Sequence, residues 1–196
     1  MSATTFNDSV IQPSPLTVLT IRIQELPATE QQKAIEYVEF LTQQVEKRRD
    51  EEWFWEMIDL IDFEQETAET ALAPVHEALS KLAPIRIHLF HDILAEKLSL
   101  LDTPWHYKAA SRGMGGSSDA FLYARCSVVA DGREFYEEVL SDANKFPEDD
   151  SFESVLYIPD EAYALKNAGP YDYSPKTIYE TMFNRATWGD KAIRFE

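Results

Sequence analysis

Residues 84–101 read Pro-Ile-Arg-Ile-His-Leu-Phe-His-Asp-Ile-Leu-Ala-Glu-Lys-Leu-Ser-Leu-Leu. Turned at 100° per residue, this segment gathers Leu89, Leu100, Ile93, Phe90, Leu101, Leu94, Ile87 and Leu98 on one half of a helix surface. His88, Asp92, Glu96 and Ser99 take the opposite arc, with His91 at its border. An apolar arc this wide belongs to a helix packed on several neighbours. Pro84 suits the first helical turn, and Asp102-Thr103-Pro104 stops the segment. The reading predicts the central helix of an all-α domain.

Helical spacing continues on both sides. Upstream, Leu72, Val75, Leu79 and Leu82 mark another helix, with Pro74 in its first turn or at a kink. Glu51–Asp62 carries Trp53, Phe54, Trp55, Met57, Ile58 and Ile61, an aromatic cluster that reads as core. Residues 28–49 predict an amphipathic helix with Ile35, Val38, Leu41 and Val45 on one face. Ser14-Pro15 offers a helix start before Leu16, Leu19, Ile23 and Leu26, although the β-branched run from Val18 to Ile23 also suits a strand. Residues 1–13 read as a mobile terminus. Downstream come a short aromatic segment at Trp105-His106-Tyr107 and a flexible loop with three glycines from Arg112 to Ser118. A helix then starts at Ser118 or Asp119 and ends near Asp131-Gly132. Shorter helices follow at 133–141, 152–157 and 159–167, with a stop at Gly169-Pro170. Tyr171, Tyr173, Tyr179, Phe183, Trp188 and Phe195 imply a tail folded back over the body. The expected organisation is an N-terminal tail and helical arm, residues 1–50, and an irregular multi-helix domain, residues 51–196.

Bulk chemistry narrows the function classes. The 196 residues hold 18 Lys and Arg against 35 Asp and Glu, for a net charge of −17. Affinity for nucleic acid rests on neutralising phosphates with basic side chains. The densest basic run, Lys47-Arg48-Arg49, is followed at once by Asp50, Glu51 and Glu52, so a nucleic-acid partner is not expected. No run approaches the roughly 18 apolar residues of a membrane span, and Met1–Asp8 lacks the features of a secretory signal. A single cysteine, Cys126, permits no internal disulfide and no multi-cysteine metal site. These features point to a cytoplasmic protein.

Candidate chemistry is sparse. His88-x-x-His91-Asp92 has metal-ligand spacing on a helix, yet no third and fourth ligand accompany it, and no metal or cofactor is expected. Cys126 lies mid-helix, far from the helix N-terminus that would activate it. Gly113-Met114-Gly115-Gly116 lacks the lysine and hydroxyl of a phosphate cradle and reads as a hinge. Arg125 is the sharpest anomaly. Phe121 and Val128 flank it on one side, Leu122 and Val129 on the other, so its stem rises from the apolar face, where cations are rare. It demands either a buried carboxylate partner or an anion ligand shared with Arg133 or His106.

Residues 117–133, Ser-Ser-Asp-Ala-Phe-Leu-Tyr-Ala-Arg-Cys-Ser-Val-Val-Ala-Asp-Gly-Arg, resemble a bacterial family catalogued as domain of unknown function 4240. Asp119, Phe121, Arg125, Gly132 and Arg133 match its pattern, with Val128 and Val129 in the aliphatic places. Ser118, Ala124 and Ser127 depart from it. Trp53-x-Trp55-x-x-Ile58 and Phe135-Tyr136-Glu137 extend the resemblance to about residues 51–169. It implies a fold and no reaction. The arm, from Glu25-Leu26-Pro27 to Phe40-Leu41, is similar to helical segments of small antitoxin-like proteins. The leading functional expectation is a non-enzymatic interaction or regulatory module that binds a protein partner, or a second copy, through the 28–49 helix. The alternative is a small-molecule or nucleotide-processing enzyme with a pocket near Trp105, His106, Asp119, Arg125 and Arg133.

Overall fold

The computed structural model describes residues 14–114, 116–167 and 169–192. Among them there are nine α-helices, three short 3₁₀ turns and no strand. The helices are α1 Pro15–Gln24, α2 Ala28–Ile58, α3 Ala68–Ser80, α4 Pro84–Leu100, α5 Pro104–Met114, α6 Ser118–Ala130, α7 Arg133–Ser141, α8 Ile158–Leu165 and α9 Arg185–Trp188. The fold is all-α. None of the described helices is long and apolar enough to cross a membrane. The proposed mobile terminus at 1–13, Gly115 of the proposed hinge and Phe195 of the tail lie outside the described residues.

The chain divides into two units, residues 1–49 and 50–196. In the first, Ser14 caps α1 by accepting from the Thr17 amide at 3.2 Å, which settles the strand alternative in favour of helix. The Gln31 side-chain amide donates to the Gln24 and Leu26 carbonyls, capping the end of α1 and fixing the turn into α2. This unit is a hairpin of two helices joined by that turn, with no residue of α1 buried.

The second unit is a helical body with one continuous core. Phe54, Trp55 and Ile58 of α2, Leu72, Val75 and Leu79 of α3, and Ile87, Phe90, Leu94 and Leu98 of α4 meet there. Residues 28–58 form one helix rather than a helix and a separate aromatic segment. Pro74 is the seventh residue of α3, so of the two expected placements the first turn is ruled out and the proline lies inside the helix, because the N-cap is Thr67. Arg112–Met114, read as loop, close α5. α6 starts at Ser118, within the expected start, and its N-cap is Ser117, whose hydroxyl accepts from the Ala120 amide at 3.0 Å. Every residue from Ala124 to Ala130 is buried. A helix enclosed all round is the innermost one, so α6 holds the position expected of α4.

Gly132 links α6 to α7 at φ +90°, and a Cβ there would meet Asp59 at 3.4 Å. Only glycine adopts that backbone without strain.

Candidate functional site

Arg125 is fully enclosed in α6. Its Nη1 donates to the Leu98 carbonyl at 2.8 Å and the Tyr179 carbonyl at 2.9 Å. Its Nη2 donates to Thr181 Oγ1 at 3.1 Å, and the guanidinium lies 4.8 Å from the Phe121 ring centre. No carboxylate among the described residues hydrogen-bonds to it, and carbonyls take the place of the expected acid–arginine pair. The physical reason is the end of α4. The last four carbonyls of a helix lack intrahelical partners and form its negative pole. Three of the four are taken by side chains: Lys97's by the Tyr136 hydroxyl, Leu98's by Arg125 and Ser99's by the Asn184 amide. Arg125 therefore serves as a buried cap for α4. Burial lowers its pKa to about 10 and the Asp102 carboxylate opposes that shift, so it stays cationic at neutral pH.

Asp102 is the second anchor, and the sequence shows it only as a helix stop. It is fully buried and accepts from the Met182 amide at 3.0 Å, the Asn184 amide at 2.9 Å and the Trp188 indole at 2.9 Å. Its own carbonyl accepts from Thr187. Arg125 and Asp102 together pin residues 179–188 to the body, which is how the aromatic tail folds back.

The polar arc of α4 holds the rest of that tail. His88 stacks on Tyr173 with ring centres 4.2 Å apart, and His91 Nδ1 shares a 2.9 Å hydrogen bond with the Tyr171 hydroxyl. Asp92 binds the Lys176 amide at 3.0 Å and the Lys176 ammonium at 2.9 Å. Burial would raise the Asp92 carboxyl, but these donors and the Tyr173 hydroxyl hold it below the usual range. Burial lowers the pKa of His91, against the pull of Asp92. The metal-like spacing is thus occupied by tyrosines, and no group of three or more potential ligands gathers among the described residues.

The remaining predicted site residues do not join Arg125 in a pocket. Trp105 is 68 % exposed and Asp119 is exposed. Arg133, also exposed, bonds to Glu137 within its own helix at 2.7 Å. His106 is buried, with Nδ1 on Thr103 at 2.8 Å and Nε2 on the Val139 carbonyl at 2.9 Å. Burial lowers its pKa. Phe121 is core. Burial pushes the Cys126 thiol up to about 12, the opposite of an activated nucleophile.

The first unit presents a different surface. On α1, Leu16, Val18, Leu19 and Ile21 are exposed, and on residues 28–49 of α2 so are Ile35, Tyr37, Val38, Phe40, Leu41 and Val45. Between the two helices, Ile23, Ala34, Ile35, Val38 and Glu39 line an apolar cleft of about 190 Å³. Two adjacent helices with uncovered apolar faces exceed the scattered hydrophobic residues of an ordinary surface. What this arrangement can do chemically is bury itself against another apolar surface.

No curated protein and no solved structure matches the chain, and nothing supports the antitoxin-like resemblance of the arm. A family model does match, over residues 49–165. That span ends before the tail that Arg125 and Asp102 hold. With more than half of the chain covered, the protein belongs to the family described as "Protein of unknown function (DUF4240)".

Proposed function

We propose that this protein is a non-enzymatic interaction module whose docking element is the α1–α2 hairpin and whose helical body is a self-contained platform. The observation that carries the reading is the set of apolar side chains left exposed on residues 16–45, with Leu16 at 72 %, Tyr37 at 62 % and Val38 at 55 %. Burying one such side chain is worth about 1.5–3 kcal/mol, so several together can hold a partner. The body supports the reading from the other side. Its buried cation, its buried acid, His88 and His91 are engaged in holding α4 and the tail in place.

Position-specific photocrosslinking in an extract of the source cells tests the proposal. A photoreactive residue at Tyr37, Leu41 or Val45 gives adducts of defined mass, whereas one at Glu36 or Gln43, on the polar arc, does not. Leu41→Glu removes the adduct formed from position 45. Absence of any defined adduct, or equal labelling from both faces, contradicts the reading.

A further inference from the structure

Resting on that reading, we infer that the occupant of the hairpin face is a second copy of this chain, paired antiparallel along residues 30–48 of α2. Ile23, near the end of α1, meets α2 on the line that holds Ala34, Ile35 and Val38, the residues around their shared cleft. Turned at 100° per residue, Glu30, Tyr37, Leu41 and Arg48 lie within about 40° of one another on the adjacent line. Tyr37 and Leu41 stay exposed there, flanked by Phe40 and Val45. This line is apolar at its middle, acidic at its start and basic at its end.

That order fixes the partner and its direction. Two copies related by a two-fold axis at residue 39 place Tyr37 against the partner's Leu41, twice. The same axis places Glu30 against the partner's Arg48 at both ends, the self-complementary pattern of a two-fold interface. A parallel pair would oppose Glu30 to the partner's Glu30 and Arg48 to the partner's Arg48. The wider charge distribution agrees. Residues 28–39 hold Glu30, Glu36 and Glu39 against Lys33, while residues 40–49 hold Lys47, Arg48 and Arg49 against Glu46. Two of the acids that follow are already engaged by the body, Asp50 with Arg86 at 3.0 Å and Glu51 with Lys97. Glu30 also contacts Lys33 at 2.9 Å in its own exposed helix, an arrangement that leaves room for a second cation.

The alternatives fit less well. Residues 1–49 hold Asp8, Glu25, Glu30, Glu36, Glu39 and Glu46 against Arg22, Lys33, Lys47, Arg48 and Arg49, a net of −1, which leaves −16 on residues 50–196. A basic partner is drawn to the body rather than to the near-neutral hairpin, and an anionic membrane repels the body.

Sedimentation equilibrium of the purified full-length chain tests the inference with four variants. The parent chain is expected to dimerise and Leu41→Glu to sediment as a monomer. Glu30→Arg and Arg48→Glu each weaken the dimer roughly 3–30-fold through two repulsive contacts, and the Glu30→Arg/Arg48→Glu double variant regains it. A parallel dimer is insensitive to this cycle, and a loss confined to the variant helix itself is not restored by the second change. Either result overturns the inference, as does a dimer that Leu41→Glu leaves intact. A monomeric parent chain whose position 45 still crosslinks a different protein overturns self-association and spares the interaction reading. A monomer with no adduct overturns both.

Discussion

Two helical stretches of this chain, residues 28–49 and 84–101, carry comparable apolar periodicity and meet opposite fates. Ile87, Phe90, Leu94, Leu98 and Leu101 are buried, whereas Ile35, Tyr37, Val38, Phe40, Leu41 and Val45 are exposed. The difference lies in what surrounds them. The 84–101 stretch is covered by α6, α8 and the tail, and even its polar arc is taken up by tyrosines and Lys176. The 28–49 stretch meets α1 only around Ile23 among the described residues and retains a broad uncovered face. Periodicity shows that a face requires burial. It does not show whether the covering surface belongs to the same molecule.

The body half of this comparison breaks most sharply at Arg125. Arg125→Met removes the cation whose charge is matched by nearby Asp102 and frees the Leu98 and Tyr179 carbonyls inside the core. Unfolding by urea should show a loss on the order of 3–5 kcal/mol, and an unchanged midpoint would mean that Asp102 and the aromatic contacts hold the tail without Arg125. Gly132→Ala comes next, at about 1–3 kcal/mol, because alanine at φ +90° is strained whatever space it finds.

Acidity gives a graded test. Burial lowers the pKa values of His76, His91 and His106 below the ordinary 6.5. As pH falls through 6.5 the unfolded chain binds protons that the folded chain refuses, so stability declines below that point. The melting temperature should therefore drop between pH 6.5 and about 5, above the range where most carboxylates titrate. His106→Gln should flatten the slope without removing it, since two other histidines contribute. A flat profile in the parent protein would show that the three imidazoles are not held neutral.

The smallest expected effect on stability sharpens the comparison from the hairpin side. Leu41→Glu with Val45→Glu alters two exposed positions, and at dilutions where the chain is monomeric it should change the unfolding free energy by no more than about 0.5 kcal/mol. A larger loss would mean that these side chains are already buried within the single chain.

The fold was largely legible because 3.6-residue patterns mark the longer helices, α1, α3, α5 and α6 carry a Ser or Thr cap, and an apolar stripe interrupted by one arginine singles out Arg125. The partners of Arg125 were not legible. Leu98 and Tyr179 engage it through backbone carbonyls, which leave no mark on composition, and Asp102, the second anchor, meets Met182 across 80 residues of chain. Asp102 shows why: in sequence it is a polar residue before Thr-Pro, and only the returning tail turns it into an anchor. Pro74 left the start of α3 open between a first turn and an interior proline, and the Thr67 cap seven residues earlier decides for the interior position. Gly132 was legible as a helix end, and its positive φ explains the residue type.

Amide hydrogen exchange on the full-length chain at two protein concentrations reads both stretches in one experiment. The account predicts that protection of residues 28–49 rises with concentration as copies pair, while protection of residues 84–101 stays constant because its cover is intramolecular. Concentration-independent exchange in residues 28–49, or a parallel rise in both stretches, would contradict it.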